Sequence, residues 1–366
     1  TDSYTTPATT AATGLNLSLR ETPQSVTVIT RQRMDDQALD SLGMVVDQTP
    51  GITQTAYGPA ATGGNRAPLY ARGFMVNTFQ VDGVTMPSGA LSTGAGWDGN
   101  GSIDMAIYDS VTIVRGATGL LAGSGDPSAT ISLTRKRPTD TFQASVAQSM
   151  GRWSQRRSVA DLGGPLNATG SLRGRLVAVY DEGGSWLERA QHYKRLAYGV
   201  LEADLGRTTL LRFAVEHGQE SAHDIVPNSG FMPDFSDGSR APFTGRDNAA
   251  LDWSEWHSRR TSFTTALEHR FNDDWQASLS YIHSRFNADS KTSLMGGGWM
   301  VPEPDGMSTI MLYKTRVANR VNTFDAKLNG RYALWGRQHE LVAGFNTSDA
   351  NLGLPDYRRT ARDYCC

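Results

Sequence analysis

The chain has 366 residues, with 35 Lys and Arg against 37 Asp and Glu, so its formal net charge is only −2. This balance gives no basic footprint for nucleic acid, and the sequence has no run of about 18 apolar residues that could cross a bilayer as a helix. Cys365 and Cys366 are adjacent and cannot cross-link distant segments, and no Cys/His spacing typical of a zinc site occurs. These features exclude nucleic-acid binders, helical membrane proteins, disulfide scaffolds and zinc modules.

The mean hydropathy of −0.40 does not exclude one class of membrane protein, the transmembrane β-barrels. In a transmembrane β-barrel only alternate residues face lipid, so its strands must be sought by two-residue periodicity. The polar stretch that opens at Thr1 also leads us to expect a processed or trimmed amino terminus.

Two regions precede any long alternating segment. Residues 1–20 are rich in Thr and Ala with almost no large apolar side chains, which predicts a flexible arm. Residues 21–140 predict a compact α+β domain with one helix, capped by Asp35 or Asp36 and ended by Pro50-Gly51. Its apolar positions recur at helical spacing: Met34, Leu39, Leu42, Val45 and Val46. Short strands follow in LYARGF, TFQVDGVTM, SVTIVRG and ATISLTRKRP.

Residues 141–366 alternate between polar and apolar positions in long runs, which predicts antiparallel strands. Short connectors at 205–208, 271–274 and 335–338 alternate with long ones at 219–252 and 287–316, as in an outer-membrane barrel. Aromatic residues near strand ends suit an interfacial girdle: Trp275, Tyr281, Tyr332 and Trp335. A soluble β-sandwich or barrel would alternate in the same way, so the pattern alone leaves both classes open.

A series of motifs occurs in a fixed order between about Arg20 and Asn346. The motifs are RETPQSVTVITRQRM, LYARGF, FQVDGV, SVTIVRGATGLLAGSGDPSATISLTRKRP, GSWLERA and GRQHELVAG. Together they resemble the TonB-dependent ferric-siderophore receptors, and within that family the sequence is most similar to the coprogen, ferrioxamine and pyoverdine receptors. The resemblance implies an α+β plug domain followed by antiparallel transmembrane strands of a 22-stranded barrel in the outer membrane of a Gram-negative bacterium.

The sequence departs from this family in two ways. The segment that pairs with TonB has no counterpart after Thr1, so we expect it upstream of this chain. Residues 142–366 supply about nine strands where the family uses 22, which would leave two open sheet edges. The ending RRTARDYCC also lacks the family's terminal aromatic. We therefore expect the amino-terminal half of a receptor, as a truncated, frameshifted or partial chain.

The resemblance implies residues that bind a ferric chelate on the external face. Gly-rich plug loops offer backbone and hydroxyl donors to a polar chelate, and aromatic faces can cover its methylene chains. The predicted ligand contacts are Tyr57, Arg66, Asn77, Trp97 and Trp299. Trp253 or Trp256 could also close over the ligand, or else lie in the interfacial girdle.

Arg72 and Arg115 have a different predicted role. Each is followed by Gly in a plug motif, and a guanidinium in the lumen has to be paired. In the family the matching arginines pair with glutamates of the inner barrel wall, so we predict an ion-pair lock between plug and barrel.

The sequence favours a transporter over an enzyme. The seven histidines form no HExxH arrangement or i,i+4 pair, so no metal site is expected, and iron would be held by the siderophore. The implied partners are a ferric siderophore, TonB with its inner-membrane complex and outer-membrane lipid, with no cofactor. Alternatives are a plug-type binding or signalling module, a non-functional truncated receptor, or a passive porin, against which the plug motifs argue.

Overall fold

The computed structural model describes residues 3–9, 11, 17–22, 24–55, 68–87, 90–91, 103–116, 127–225, 234–295, 304–305, 307–353 and 356–365. Side chains of residues 293–295, 307–311 and 356–365 lie outside this description. In the described chain, a small α+β plug is followed by a wall of long antiparallel strands.

The plug is built from short elements. In chain order they are β1 (Ala8–Thr9), β2 (Leu17–Ser18), β3 (Ser25–Thr30), α1 (Arg31–Asp36), α2 (Leu42–Asp47), β4 (Ile52–Gln54), β5 (Leu69–Ala71), β6 (Phe74–Met75), β7 (Thr78–Val81), β8 (Val84–Met86), a 3₁₀ helix (Met105–Ile107), β9 (Tyr108–Arg115) and β10 (Ala129–Arg135). The central sheet has the order β3-β9-β10-β7-β8, with β10 parallel to β7. A second sheet has the order β4-β5-β6.

The helical region is divided in two, so the prediction of one helix capped by Asp35 or Asp36 is wrong. Thr30 caps α1 and Ser41 caps α2, each through its side-chain oxygen. Between the helices Ala38 has a φ of 50°, a conformation that a right-handed helix cannot include. The predicted apolar positions are nevertheless all buried, because both helices turn those side chains toward the same core.

The plug core continues into the wall. Ile29, Ile113, Ile131 and Leu133 are fully buried under the helices. The same cluster includes wall residues, namely Val177, Val179, Tyr198, Val200 and Ala214. Burial of each such side chain contributes roughly 1.5–3 kcal/mol. The plug therefore shares its apolar core with the wall that surrounds it.

The wall strands are long. They are β11 (Gln143–Met150), β12 (Arg156–Pro165), β13 (Leu172–Gly184), β14 (Gln191–Asp204), β15 (Thr209–His223), β16 (Glu255–Arg270), β17 (Trp275–Met295), β18 (Met307–Leu334), β19 (Arg337–Leu352) and β20 (Asp356–Cys365). Strands β11 to β19 pair in sequence order, and β20 pairs with the first part of β18, beyond the part that pairs with β19. β19 and β20 thus lie along one side of β18 as successive parts of a ninth strand position.

The connections differ at the two ends of the sheet. At one end they span residues 166–171, 205–208, 271–274 and 335–336, and we name this the short-loop end. At the other end the connections span residues 151–155, 185–190, 224–254 and 296–306, and we name this the long-loop end because it carries the two longest of them. The predicted long connector at 287–316 is wrong over most of its length, because β17 and β18 continue through it as paired strands.

Side chains alternate between the two faces of the wall. Arg157 and Asp161 of β12 point inward and contact the plug, so the even-numbered residues of that strand point outward. The register carries this alternation across the sheet, and the inward positions include Tyr198, Trp256 and Thr323, all of them buried. A strand at 156–165 was not among the predicted runs, although it alternates in the same way.

The described wall is an open sheet. Among the described strands, β11 pairs only with β12, and no pairing joins β11 to β19 or β20. The side chains of β11 are all exposed, as expected for an edge strand with nothing beyond it. No helix in the described ranges is long and apolar enough to cross a membrane.

The described part of the first 20 residues lies against the plug. β1 pairs with β2, the Thr30 hydroxyl donates to the Ser3 carbonyl at 2.6 Å, and the Tyr4 hydroxyl donates to Asp36 at 2.9 Å. Ser3 and Tyr4 thus contact the two ends of α1, its N-cap Thr30 and its last residue Asp36.

Candidate ligand site and plug contacts

Most predicted ligand contacts lie outside the described residues, namely Tyr57, Arg66, Trp97 and Trp299. Asn77 is described: it is half-buried in the connection between β6 and β7. These five positions stay a prediction.

The lumen at the long-loop end has an aromatic lining that the sequence reasoning only partly identified. Trp256 points inward and is 1% exposed, in a cluster with Ile225 and Phe286, so it is not part of an interfacial girdle. Its indole N–H is buried without a hydrogen-bond partner among the described residues. Trp253, by contrast, is 40% exposed in the connection before β16. Trp256 therefore belongs to the buried apolar packing on the inner side of the wall at this end.

A cavity between plug and wall lies next to this lining. Arg260 of β16 crosses it: the guanidinium carbon lies 5.4 Å from the centroid of the Phe286 ring, and Nη1 donates to the Ala90 carbonyl at 3.0 Å. Ala90 lies at the start of the loop between β8 and the 3₁₀ helix, and this loop carries Trp97, one of the predicted ligand contacts. The wall thus holds the base of that loop through a backbone carbonyl.

Buried charges join plug and wall near the long-loop end. Arg157 of β12 donates to both carboxylate oxygens of plug residue Asp104, at 2.8 and 2.9 Å, and to Asp181 of β13 at 3.0 Å. Asp40 lies 3.2 Å from the Arg157 Nε, and Lys194 lies 3.7 Å from Asp104. We call these five residues the outer ion-pair group. Two cations and three carboxylates meet here, and Arg157, Asp104 and Lys194 are the members with little access to water.

Asp104 is held charged by this group. Burial raises the pKa of its carboxyl, but Lys194 and the hydrogen bonds from Arg157 outweigh burial and leave the pKa below its ordinary value. Asp104 also accepts a hydrogen bond from the Ala106 N–H at 2.9 Å and thereby caps the 3₁₀ helix. One carboxylate therefore serves both the plug backbone and the wall.

A second set of charges lies toward the short-loop end, immediately after β10. Lys136 pairs with Asp161 at 2.7 Å and Arg137 pairs with Glu202 at 2.6 Å. We call these four residues the inner ion-pair group. The segment that leaves the plug is thereby fixed to β12 and β14 before the chain enters the wall.

Inside the plug, Arg135 and Asp82 form a further buried pair. The guanidinium lies 2.7 Å from the carboxylate and also donates to the Thr264 hydroxyl of β16 at 3.0 Å. Burial raises the pKa of Asp82, but Arg135 outweighs burial and holds it below the ordinary value. This pair connects the end of β10 to the β7–β8 turn and to the wall.

The two arginines of the predicted lock occupy neighbouring positions. Arg115 donates to the Ser25 and Thr27 hydroxyls, each at 2.9 Å, and to the Pro50 carbonyl, so it links β9 to β3 and to the end of the helical region. Arg72 is exposed in the turn between β5 and β6, with a φ of 53°, and its guanidinium lies beside Gly116. Their pairing with wall glutamates stays a prediction. The sequence reasoning missed the two ion-pair groups described above.

The plug is held by ion pairs against long antiparallel strands, and the longest connections between those strands lie at one end of the sheet. This arrangement is typical of a class of protein, the plugged outer-membrane barrels. Residues 18–130 match the TonB-dependent receptor plug domain family. The chain is 37% identical over 361 residues to the ferric-pyoverdine BN7/BN8 receptor of Pseudomonas putida, covering 99% of this chain and 43% of that receptor.

Two further comparisons agree. The ferripyoverdine receptor of Pseudomonas aeruginosa is 38% identical over 369 residues, covering 99% of this chain and 44% of the receptor. The crystal structure of the ferripyoverdine receptor of the outer membrane of Pseudomonas aeruginosa, bound to ferripyoverdine, superposes with a TM-score of 0.87 and 36% identity, covering 95% of this chain and 45% of that one. The chain thus spans less than half the length of these relatives.

These comparisons confirm the resemblance predicted from the motifs. Residues 18–130 thus form a TonB-dependent receptor plug domain, and the chain as a whole is similar to the plug and first barrel strands of ferric-pyoverdine receptors. The fold prediction of an α+β plug followed by part of an antiparallel barrel is confirmed as well.

Proposed function

We propose that the protein is an outer-membrane receptor that binds a ferric siderophore from outside and imports it with energy from TonB. The observation that carries this proposal is the agreement of plug and wall together with a receptor whose structure holds ferripyoverdine. In this orientation the short-loop end faces the periplasm and the long-loop end faces the exterior. Import is a property of the whole protein, since the relatives are more than twice as long as this chain.

The proposed ligand is a pyoverdine-like or linear hydroxamate chelate. Such a ligand is large, polar and flexible, and its oxygens carry the negative charge that balances iron. Arg66 would donate to those oxygens, and Tyr57, Asn77, Trp97 and Trp299 would line the site. Trp253 supports this, because it is 40% exposed in the connection before β16 at the same end and can contact such a chelate.

Arg72 and Arg115 are proposed to complete the attachment of the plug through wall glutamates contributed by further strands. Their position supports this role, since the Arg72 guanidinium lies beside Gly116, the residue that follows Arg115 in the chain. TonB is proposed to engage a segment upstream of this chain by strand addition.

Uptake in cells tests the proposal. The gene would be expressed in a pyoverdine-receptor-deficient Pseudomonas strain, and accumulation of radiolabelled iron supplied as ferripyoverdine would be measured with and without a protonophore. We expect uptake that stops when the proton-motive force collapses. Uptake that persists with the protonophore would identify a passive channel and contradict the proposal.

A matched pair of variants tests the ligand site separately. Arg66→Gln should weaken equilibrium binding of ferripyoverdine by about tenfold, because a charge-assisted hydrogen bond contributes roughly 1.5–3 kcal/mol. Arg152→Gln, at an exposed position in the turn after β11, should leave affinity unchanged. Equal affinities for the parent and both variants would remove Arg66 from the site.

A further inference from the structure

Three buried polar atoms lie where the 224–254 connection joins the wall. They are the indole N–H of Trp256, the hydroxyl of Ser254 and the carboxylate oxygen Oδ1 of Asp224. Among the residues that the structure describes, none of the three atoms has a hydrogen-bond partner. Because buried polar atoms in folded proteins are almost always hydrogen-bonded, three of them at one place require a physical explanation.

The three side chains occupy neighbouring positions on two paired segments. The Asp224 N–H donates to the Ser254 carbonyl at 2.8 Å, so these two residues lie opposite each other, one step beyond the last register pair of β15 and β16. Ser254 precedes Trp256 by two positions, which puts both side chains on the same face, and two positions of strand advance about 6.6 Å. A single small ligand can therefore reach all three groups.

The backbone around these groups is ordered and hydrogen-bonded. The Asn248 side-chain amide donates to the carbonyls of Asp224 and Glu188, each at 2.7 Å. The Ser254 N–H donates to the Leu251 carbonyl at 2.8 Å. These bonds hold both ends of the connection in place, so the three atoms belong to a fixed part of the chain.

Apolar side chains surround the Trp256 end of the group. Trp256 packs in a buried cluster whose described members include Ala222, Ile225, Phe286 and Ala288. Ser254 and Trp256 are each 1% exposed, so bulk solvent does not reach them. A partner for the three atoms has to be enclosed with them.

The donor and acceptor capacities of the three groups identify that partner. An indole N–H only donates, an ionised carboxylate only accepts, and a hydroxyl does both. The indole N–H disfavours a cation, and the carboxylate disfavours an anion. A water molecule both accepts and donates, and buried waters typically form about three hydrogen bonds to polar atoms that lack other partners. With hydrogen bonds of about 2.9 Å, one water joins atoms up to about 5.8 Å apart.

We propose that one buried water molecule binds at this place, accepts a hydrogen bond from the Trp256 indole, donates one to Asp224 Oδ1 and shares a third with the Ser254 hydroxyl. The water joins the first and last residues of the 224–254 connection to the inner side of β16. It thereby holds the base of this connection at the long-loop end. The site lies within the wall and is independent of the proposed siderophore.

Nuclear magnetic resonance of the 366-residue chain in detergent tests this inference. The indole N–H groups are isotope-labelled, and Trp256→Phe assigns the Trp256 signal. The measured quantity is the nuclear Overhauser effect between an indole proton and water, which has one sign for a long-lived bound water and the opposite sign for mobile surface water. Trp253, which is 40% exposed in the same connection, is the internal control.

Two substitutions at Ser254 separate the water from the hydroxyl. The side-chain amide in Ser254→Asn has one acceptor and one donor group and is longer than the serine hydroxyl, so it can replace the water between Trp256 and Asp224. Ser254→Ala leaves the water with two partners. Exchange of the Asp224 amide proton should therefore rise about fivefold in Ser254→Ala, as expected for one net hydrogen bond, and stay near the parent rate in Ser254→Asn.

The parent should show a long-lived water at Trp256, with the opposite sign at Trp253, and Ser254→Asn should lose the signal at Trp256. A parent in which both indoles give the sign of surface water, or a Ser254→Asn variant that retains the long-lived signal, would overturn the inference. Equal acceleration of Asp224 exchange in the two variants would also overturn it, because the hydroxyl alone would then account for the effect. If the variants fail to fold, the sign at Trp256 in the parent decides alone.

Discussion

The seating of the plug depends strongly on Arg157. Arg157→Ala leaves Asp104 buried without its bidentate partner, and breaking a buried ion pair costs roughly 3–5 kcal/mol. Asp104 keeps Lys194 at 3.7 Å and the Ala106 N–H at 2.9 Å, so we expect the lower end, about 3 kcal/mol. Amide hydrogen exchange in the 3₁₀ helix and in β9 should therefore accelerate about 100-fold, since a factor of ten corresponds to about 1.4 kcal/mol.

The control and the refuting result come from the same strand. Arg156 is exposed and points away from the plug, so Arg156→Ala should leave plug exchange unchanged. Combining Arg157→Met with Asp104→Asn should restore most of the protection, because the buried carboxylate is removed together with its guanidinium, while Lys194 keeps Glu220 at 3.4 Å and Asp181 keeps His192 at 3.2 Å. If Arg157→Ala changes plug exchange no more than Arg156→Ala, or if the double variant recovers nothing, the outer ion-pair group does not hold the plug.

Three further predictions follow from charge and packing. The depressed pKa of Asp104 means that its stabilisation is fully present above the ordinary value of 3.8 and is lost below it. The difference in plug melting temperature in detergent between the parent and Asp104→Asn should therefore be constant from about pH 7 to 5 and shrink below about pH 4. Burial raises the pKa of Asp109, which has no ion pair in the described chain, so Asp109→Asn should raise the melting temperature at neutral pH and lose this advantage as acid protonates the parent. A Cβ at Gly330 would meet the Trp275 ring at 2.3 Å, so Gly330→Ala should destabilise by about 1–3 kcal/mol and shift Trp fluorescence, whereas Gly344→Ala, with its nearest atom at 3.6 Å, should do neither.

The sequence predicted those parts of the fold in which local pattern and burial agree. Met34, Leu42 and Val45 were predicted to be buried, and they are, because helical spacing brought them to one face. The helix break at Ala38 was missed, since alanine is a strong helix former and only tertiary packing sets its positive φ. The strands through 287–316 were missed for a different reason: the outward face there is polar, and the inward face mixes Ala288 and Val317 with Ser290, Thr292 and Thr315, so alternation gives little signal.

The plug contacts were harder to predict. A charged side chain such as Arg157 or Lys136 gives no sign in the sequence that its partner lies on another domain, because the register of β12 against the plug decides it. The prediction of an ion-pair lock between plug and barrel therefore used Arg72 and Arg115, which fall in recognised motifs. The described contacts of Arg115 are all within the plug.

The side of the wall formed by β16 to β19 shows the limit most clearly. Besides the Arg135–Thr264 hydrogen bond and apolar packing, its polar contacts there go to backbone carbonyls of the plug. Arg260 donates to the Ala90 carbonyl, Lys327 to the Gly83 carbonyl and Asn346 to the Thr85 carbonyl. Because every residue has a backbone carbonyl, the amino-acid sequence of the β7–β8 region does not show which carbonyls accept these hydrogen bonds. On the β12 to β14 side the contacts join opposite charges that cannot separate without leaving a charge buried, whereas water can replace a donor to a carbonyl at little cost. The plug is therefore bound more firmly to the first wall strands than to the later ones, an asymmetry that arises from the kinds of atoms in contact.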